Sequence, residues 1–420
     1  MHRLRGLLVD TRPLRESRDF RLIWISQLVA MVGRQMLVVA VPLQVYLVTH
    51  SSLAVGLLGI VQAVPLIAAG LYGGSLADRF DRRLLMLVTK SLIGLTSILL
   101  AFGAVGMLAP LWFIYGVSAI SGGLSTIEQS ARAATVPRLV SRAQLPVALS
   151  LVQVLFQVAQ TVGPSLAGVV IAQAGLVWAY GVDVACFVAS TLLLLPLGAQ
   201  PATARGGSFG WRAPAAAFAF VRHNPVVLGG FLADLDAMIF GLPRAVFPAL
   251  ATDVFRIGPA GLGLLYAAPG AGALIGSVLT GWVGRVKRQG TAVLVAVGGW
   301  GAAIAGFGLT GSVLWLGLLL LAVAGAADMI SAVFRGTILQ LSVPDAMRGR
   351  MSAFHSMVVT AGPRVGDLET GLVATAFGPV FSVVSGGLAC VLGVAVLALL
   401  APALRRQRAS LEEPEAPPPA

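Results

Sequence analysis

Across 420 residues, hydrophobic side chains make up 57% and charged ones only 11%, where a soluble globular chain carries about 45–50% and 25%. That balance excludes a soluble enzyme or binding domain and marks an integral membrane protein. The formal charge of +12 would suit nucleic acid only if gathered on one soluble face; here it is spread through the connections between apolar runs, so topology and anionic lipid account for it.

Residues 1–19 read as a cytoplasmic leader. Arg3, Arg5, Arg12, Arg15 and Arg18 stand among acids there, and the apolar run that follows is too long for a signal peptide and has no small-residue cleavage pattern. From that point twelve apolar stretches of spanning length are expected, at roughly 20–48, 53–77, 84–106, 110–136, 145–173, 177–198, 224–251, 259–284, 291–310, 313–341, 351–376 and 379–402. An even number returns both termini to one side. Alternate connections hold Arg79, Arg82 and Arg83, then Arg138 and Arg142, Arg205, Arg212 and Arg222, then Arg285, Lys287 and Arg288, and finally Arg348 and Arg350, with Arg405, Arg406 and Arg408 after the last span. The opposite connections hold Arg256 alone. Short basic loops resist translocation, so the basic side and both termini are cytoplasmic.

Between the second and third spans lies Gly73-Gly74-Ser75-Leu76-Ala77-Asp78-Arg79-Phe80-Asp81-Arg82-Arg83, a charge-dense turn that must sit at a membrane face. Its pattern Gly-x-x-x-Asp-Arg-x-x-Arg-Arg, Gly74 to Arg83, resembles the loop between helices 2 and 3 of the major facilitator superfamily of secondary transporters. The resemblance implies an all-α membrane protein of twelve transmembrane helices in two pseudo-symmetric six-helix bundles, working by alternating access. It also makes Gly74, Asp78, Arg79, Arg82 and Arg83 gate residues, with Asp78 and Arg82 reaching across the halves. A duplication is visible independently: a shift of 207 residues lays Gly56-Leu57-Leu58 on Gly263-Leu264-Leu265, Gly74 on Gly281 and Val136-Pro137 on Val343-Pro344. The expected organisation is a leader at 1–19, a six-helix bundle at 20–198, a cytoplasmic loop at 199–223 with a short surface helix near Trp211 to Val221, a second bundle at 224–402, and a disordered tail at 403–420.

Enzymatic chemistry finds no site. The only lysines, Lys90 and Lys287, follow Thr89 and Val286, so no phosphate-binding Gly-Lys-Ser/Thr loop exists. Gly206-Gly207-Ser208-Phe209-Gly210 matches the hydrolase elbow in letters but lacks the strand and helix it needs. Cys186 and Cys390 lie inside apolar runs, and neither a metal site nor a cofactor is expected. The residues that carry chemistry are ionisable groups inside spans, which are costly in lipid and so face a partner or a wet cavity. These are Arg34; Glu128 and Arg132; Asp183; Asp234, Asp236 and Arg244; Asp328 and Arg335; Arg364, Asp367 and Glu369.

Glu128 and Arg335 coincide under the 207-residue shift, so they either latch the two halves near the cytoplasmic end, or Glu128 pairs with Arg132 four residues along its own helix. Asp328 lies mid-span; it either gains and loses a proton or sits in a fixed bridge with Arg364 or Arg34. Asp234, Asp236, Asp367 and Glu369 carry the same alternatives, while Asp183 reads as structural. Arg34, Arg244, Arg335 and Arg364 are candidates to attract an anionic substrate. In the fifth span, Ala159 to Gly168 contains Gly163, Pro164 and Gly168 and resembles the superfamily's antiporter motif. Ala40-Val41-Pro42-Leu43-Gln44, Thr49-His50-Ser51, Leu264 to Ala268 and Gly366-Asp367 resemble the branch that exports siderophores of the enterobactin type. The resemblance implies a monomeric, proton-coupled exporter of such a small molecule in a bacterial cytoplasmic membrane. A multidrug efflux antiporter and a non-transporting receptor or scaffold are the alternatives.

Overall fold

The computed structural model describes residues 10–107, 109–202, 212–311, 313–344 and 347–407. After a short helix, Arg12–Glu16, the first half consists of α1 (Arg18–Thr49), α2 (Ser52–Arg79), α3 (Arg82–Ala104), α4 (Leu111–Leu139), α5 (Leu145–Ala174) and α6 (Leu176–Leu194). A linker helix, Arg212–His223, leads to α7 (Pro225–Phe240), α8 (Gly258–Val278), α9 (Gln289–Gly308), α10 (Leu314–Ser342), α11 (Arg348–Phe377) and α12 (Pro379–Leu400). Ten of these are long and apolar enough to cross a membrane, α7 being continued to Val254. The other two, α4 and α11, are as long at 29 and 30 residues but carry polar side chains through their length: Ser118, Ser121, Ser125, Glu128 and Arg132 in one, Arg364, Asp367 and Glu369 in the other. Of the tail expected to be disordered at 403–420, the first residues are ordered: Pro402–Arg406 form a short helix whose Leu404 is buried against Gly229 and Gly290 of the second half, and residues 408–420 lie outside the described residues.

Helix ends follow local chemistry. Ser17, Ser51, Asp81 and Asn224 each accept a backbone N–H of the first turn of α1, α2, α3 and α7, which satisfies donors that a helix start leaves free. Gly175 and Gly378 turn α5 into α6 and α11 into α12 at φ of 89° and 91°, a backbone conformation open to glycine. The two occupy the same connection of each half.

One expected span is broken. The stretch 224–251 is not a single helix: α7 stops at Phe240, a 3₁₀ turn covers Arg244–Val246, and a π turn covers Leu250–Val254. Pro243 and Pro248 cannot donate to the ladder, and the indole N–H of Trp300 takes up the carbonyl of Gly241 at 2.9 Å. The linker helix forms where a surface helix was expected, but Ala217 and Val221 are buried against Val227, Phe231, Val343 and Met351, so its apolar side packs on the second half.

Two crossings join the halves, α2 on α11 and α5 on α8. Gly56 abuts the backbone of Asp367 and Leu368, and Gly263 abuts Pro164 and Gly168; any side chain at either glycine would collide with the opposing backbone. Across the same seam Leu53 N donates to Thr375 Oγ1 at 3.2 Å, Gln157 Nε2 to the Gly270 carbonyl at 3.4 Å, and Tyr46 Oη to Asp253. These contacts lie at the end remote from the Arg-rich turns, or at mid-depth. The basic end is the looser one: Gly74 has nothing within 4 Å of where a Cβ would stand, and Arg79 is exposed.

Candidate transport pathway

Most ionisable residues of the spans collect in three groups, one inside each half and one beside the crossing of α2 and α11. In the first half, Glu128 Oε1 lies 3.5 Å from Arg132 Nε and 3.8 Å from Lys90 Nζ. Lys90 is 1% exposed and donates to Ser190 Oγ at 2.6 Å, and Ser190 in turn hydrogen-bonds Ser26. Arg34 of α1 is exposed although Gly33, Gln35 and Met36 beside it are buried. Its charged neighbours are Glu128, Arg132 and Asp183 of the same half and Arg364 of the other, so the space it opens onto lies between the halves and not in lipid.

The second group is in the other half. Arg335 Nη2 stands 2.9 Å from Asp234 Oδ1 and 3.5 Å from Asp328 Oδ1. One guanidinium is thus shared by two carboxylates of unequal access, Asp234 sealed at 2% and Asp328 open at 44% of its side chain. His355 Nε2 lies 3.9 Å from Asp234 Oδ2. The third group sits at the tighter end. Arg364 and Arg244 are the charged neighbours of Asp367, whose carboxylate rests on Gly59 of α2, while Tyr266 Oη donates to the carbonyl of Arg244 at 3.2 Å.

Several expected placements differ. Arg335 faces Asp234 and Asp328 in its own half, so in this conformation it does not latch onto Glu128, and Glu128 pairs with Arg132 and Lys90 instead. Asp328 is bridged neither to Arg364 nor to Arg34. Among the described residues Asp78 and Arg82 are not seen to reach across the halves: there Arg82 bonds Asp78 at 3.3 Å and the carbonyls of Ala77 and Ala134, all in the first half. Arg83 donates to the Leu195 carbonyl at 2.5 Å. Asp236 points at Gly393 of α12, away from the seam, and Glu369 accepts a bond from Thr370 at 3.4 Å with no ion pair among the described residues. Asp183 accepts from Ser97 and rests on Gly33, a partner that sequence reasoning did not find. Gly163 rests on Gln35, and Gly168 with Pro164 on Gly263, which puts the antiporter-like segment at the crossing of α5 and α8.

Comparison with known proteins agrees with this architecture. The transmembrane secretion effector family of the major facilitator type matches residues 10–419. The enterobactin exporter EntS of Citrobacter koseri is 30% identical over 416 residues, 98% of each chain, and that of Escherichia coli O81 is 29% identical over 407 residues, 96% of each. Among solved structures, a bacterial homologue of the iron transporter ferroportin in an inward-facing state superposes with a TM-score of 0.70 at 17% identity, covering 91% of this chain and 98% of that one. The nucleoside transporter NupG gives 0.71 at 12% identity, covering 92% and 98%. With its two half-bundles, its charges gathered inside the halves and beside their crossing, and a match over nearly its whole length, the chain is a multi-pass membrane transporter and belongs to the transmembrane secretion effector family of the major facilitator superfamily.

Proposed function

We propose that this protein is a proton-coupled exporter in the bacterial cytoplasmic membrane, with both termini cytoplasmic and all twelve long helices spanning, and that its cargo is an anionic siderophore of the enterobactin type. The observation that carries this reading is the set of unpaired guanidiniums: Arg34, Arg244 and Arg364 flank the seam with no ion pair among the described residues, whereas Arg335 is taken by two carboxylates. Three guanidiniums without a salt bridge, two of them sharing the single carboxylate of Asp367 as a charged neighbour, leave excess positive charge between apolar bundles, which favours an anionic guest. Arg34 from the first half and Arg364 from the second are electrostatic neighbours, so one anion bridging them is held by both halves at once. The relatives named above, enterobactin exporters over almost the full chain, support that cargo.

Export requires the seam to open alternately at its two ends. Asp328 and Asp234, competing for Arg335, are the pair at which a proton would replace a guanidinium, and Asp328 is the member that water reaches. Everted membrane vesicles provide the test. Enterobactin should accumulate inside them when their lumen is acidified and stop when the pH gradient is collapsed. Arg34→Gln should raise the half-saturating concentration about tenfold, the loss of one charge-assisted bond. Accumulation indifferent to the gradient removes the proton; indifference of the half-saturating concentration to Arg34→Gln removes the anion site.

A further inference from the structure

Beneath the Arg335 pair a small crevice lies between α7, α10 and α11, on the side of Arg335 toward the basic ends of these helices. Val226, Phe231 and Leu339 wall its outer part, and Asp234, Arg335 and His355 form its inner end. Counting at 1.5 Å per residue, that inner end lies about 10–14 Å from the ends of the three helices. His355 is 39% open there while Asp234, 3.9 Å away, is 2% open. On the far side of Arg335, Asp328 is 44% open. A sealed carboxylate therefore stands between two titratable groups that water can reach.

We propose that His355 is the proton relay of this carrier, taking the proton from Asp234 and handing it to water in the crevice at the basic end. The proposal rests on the proton-coupled reading above and adds to it a route that leads away from the guanidiniums assigned to the cargo. The charged groups that face His355 are Asp234 from α7 and Arg335 from α10; the ring of Phe231 meets the imidazole in an edge-to-face contact, centroids 5.7 Å apart and planes at 66°. That contact restrains the ring, and Nε2 is the atom turned toward Asp234. When Asp328, protonated from water on its side, passes that proton to Asp234 and as a carboxylate draws Arg335 to itself, a protonated Asp234 is left beside the imidazole. Its O–H bond breaks as a bond to Nε2 forms, leaving a carboxylate and an imidazolium. The imidazolium then gives one N–H proton to crevice water and returns to neutral, and the carboxylate recovers Arg335. A gap of 3.9 Å must close by about 1 Å for the transfer, within the reach of a rotamer adjustment. Imidazole is the side chain whose ordinary range lets it both accept and release a proton near neutral pH.

The full chain in liposomes, with enterobactin as the probe and a pH-sensitive dye in the lumen, tests the relay. His355→Ala should slow proton release coupled to enterobactin by at least about tenfold, and added free imidazole should restore most of it; Asp234→Asn should be equally slow and unresponsive to imidazole. A His355→Ala protein as fast as the parent, or slow and not rescued, overturns the relay. A parent protein that carries enterobactin while moving no protons sinks the coupled reading instead. A second measurement needs no cargo. In ¹⁵N-histidine spectra of the protein in nanodiscs, the resonance lost in His355→Gln should titrate, and its midpoint should shift in Asp234→Asn. A resonance that does not titrate, or that ignores Asp234→Asn, overturns the relay without reference to transport.

Discussion

Glu128 holds two cations at once, Arg132 at 3.5 Å on its own helix and Lys90 at 3.8 Å on α3, with Arg34 close by. The three contributors are not equivalent. Lys90 has a second partner in Ser190, whereas neither Glu128 Oε1 nor Arg132 Nε has a hydrogen-bond partner beyond the ion pair. Removing the carboxylate leaves buried positive charge uncompensated, a change that costs about 3–5 kcal/mol in interiors. Removing Lys90 leaves Glu128 still paired with Arg132. Glu128→Leu should therefore lower the unfolding free energy in detergent by roughly 3 kcal/mol and Lys90→Met by about 1 kcal/mol or less. Denaturation midpoints that rank the two the other way would mean that Lys90, and not Glu128, organises the group. At this scale the sequence was read incompletely. Lys90 and His355 stand inside apolar stretches by the same criterion that singled out Arg34 and Asp328, and that depth was the signal that could have found them. The bond from Ser97 to Asp183 had no such signal, because a serine in a membrane helix is as often bonded to its own backbone.

Helices decide which of two neighbouring acids matters. Residues two apart on an α-helix point about 200° away from each other, so Asp234 and Asp236 cannot both face Arg335, nor Asp367 and Glu369 both face the seam. In each pair the structure turns the first toward other charges and the second elsewhere. Spacing alone could have made that division, though not which member wins, which depends on the neighbour each helix packs against, α12 beside Asp236 and α2 beside Asp367. The crossing of α5 and α8 was more legible, since the small residues around Gly168 in the antiporter-like segment announced a close approach. A Cβ on Gly168 would stand 2.6 Å from the Pro259 carbonyl and 2.9 Å from the Cα of Gly263. Gly168→Val should wedge the halves apart at that end. With Cys186 and Cys390 replaced by Ser, a cysteine put at Ser52, 8% exposed beneath the neighbouring crossing, should then react with an impermeant maleimide several-fold faster. An unchanged rate would show that the crossing yields by tilting one helix without opening the seam.

At the scale of the whole molecule, Tyr46 and Asp253, which hydrogen-bond across the halves, are 207 residues apart, the same shift that superposes Gly56 on Gly263. Two positions related by an internal two-fold axis can touch only where they lie on it, so this bond marks the axis at the end remote from the basic turns. The repeat was legible in glycines and prolines. Its consequence for contacts was not, because a duplicated sequence says that two positions are equivalent and nothing about their distance from the axis. The bond is the polar tie of that end that involves a carboxylate; Leu53 to Thr375 and Gln157 to Gly270 are neutral. A hydrogen bond to a charged acceptor contributes about 1.5–3 kcal/mol, which converts to roughly a 10- to 150-fold bias toward closure of that end. Tyr46→Phe removes the hydroxyl and leaves the ring edge-on to His50, centroids 6.1 Å apart. Spin labels on the ends of α1 and of the Leu250–Val254 turn should report a single short separation in the parent protein. In Tyr46→Phe a second, longer population should appear and grow under the pH gradient that drives transport. If the separation stays single and short, closure of that end rests on the glycine crossings alone, and Gly168→Val becomes the substitution that must open it.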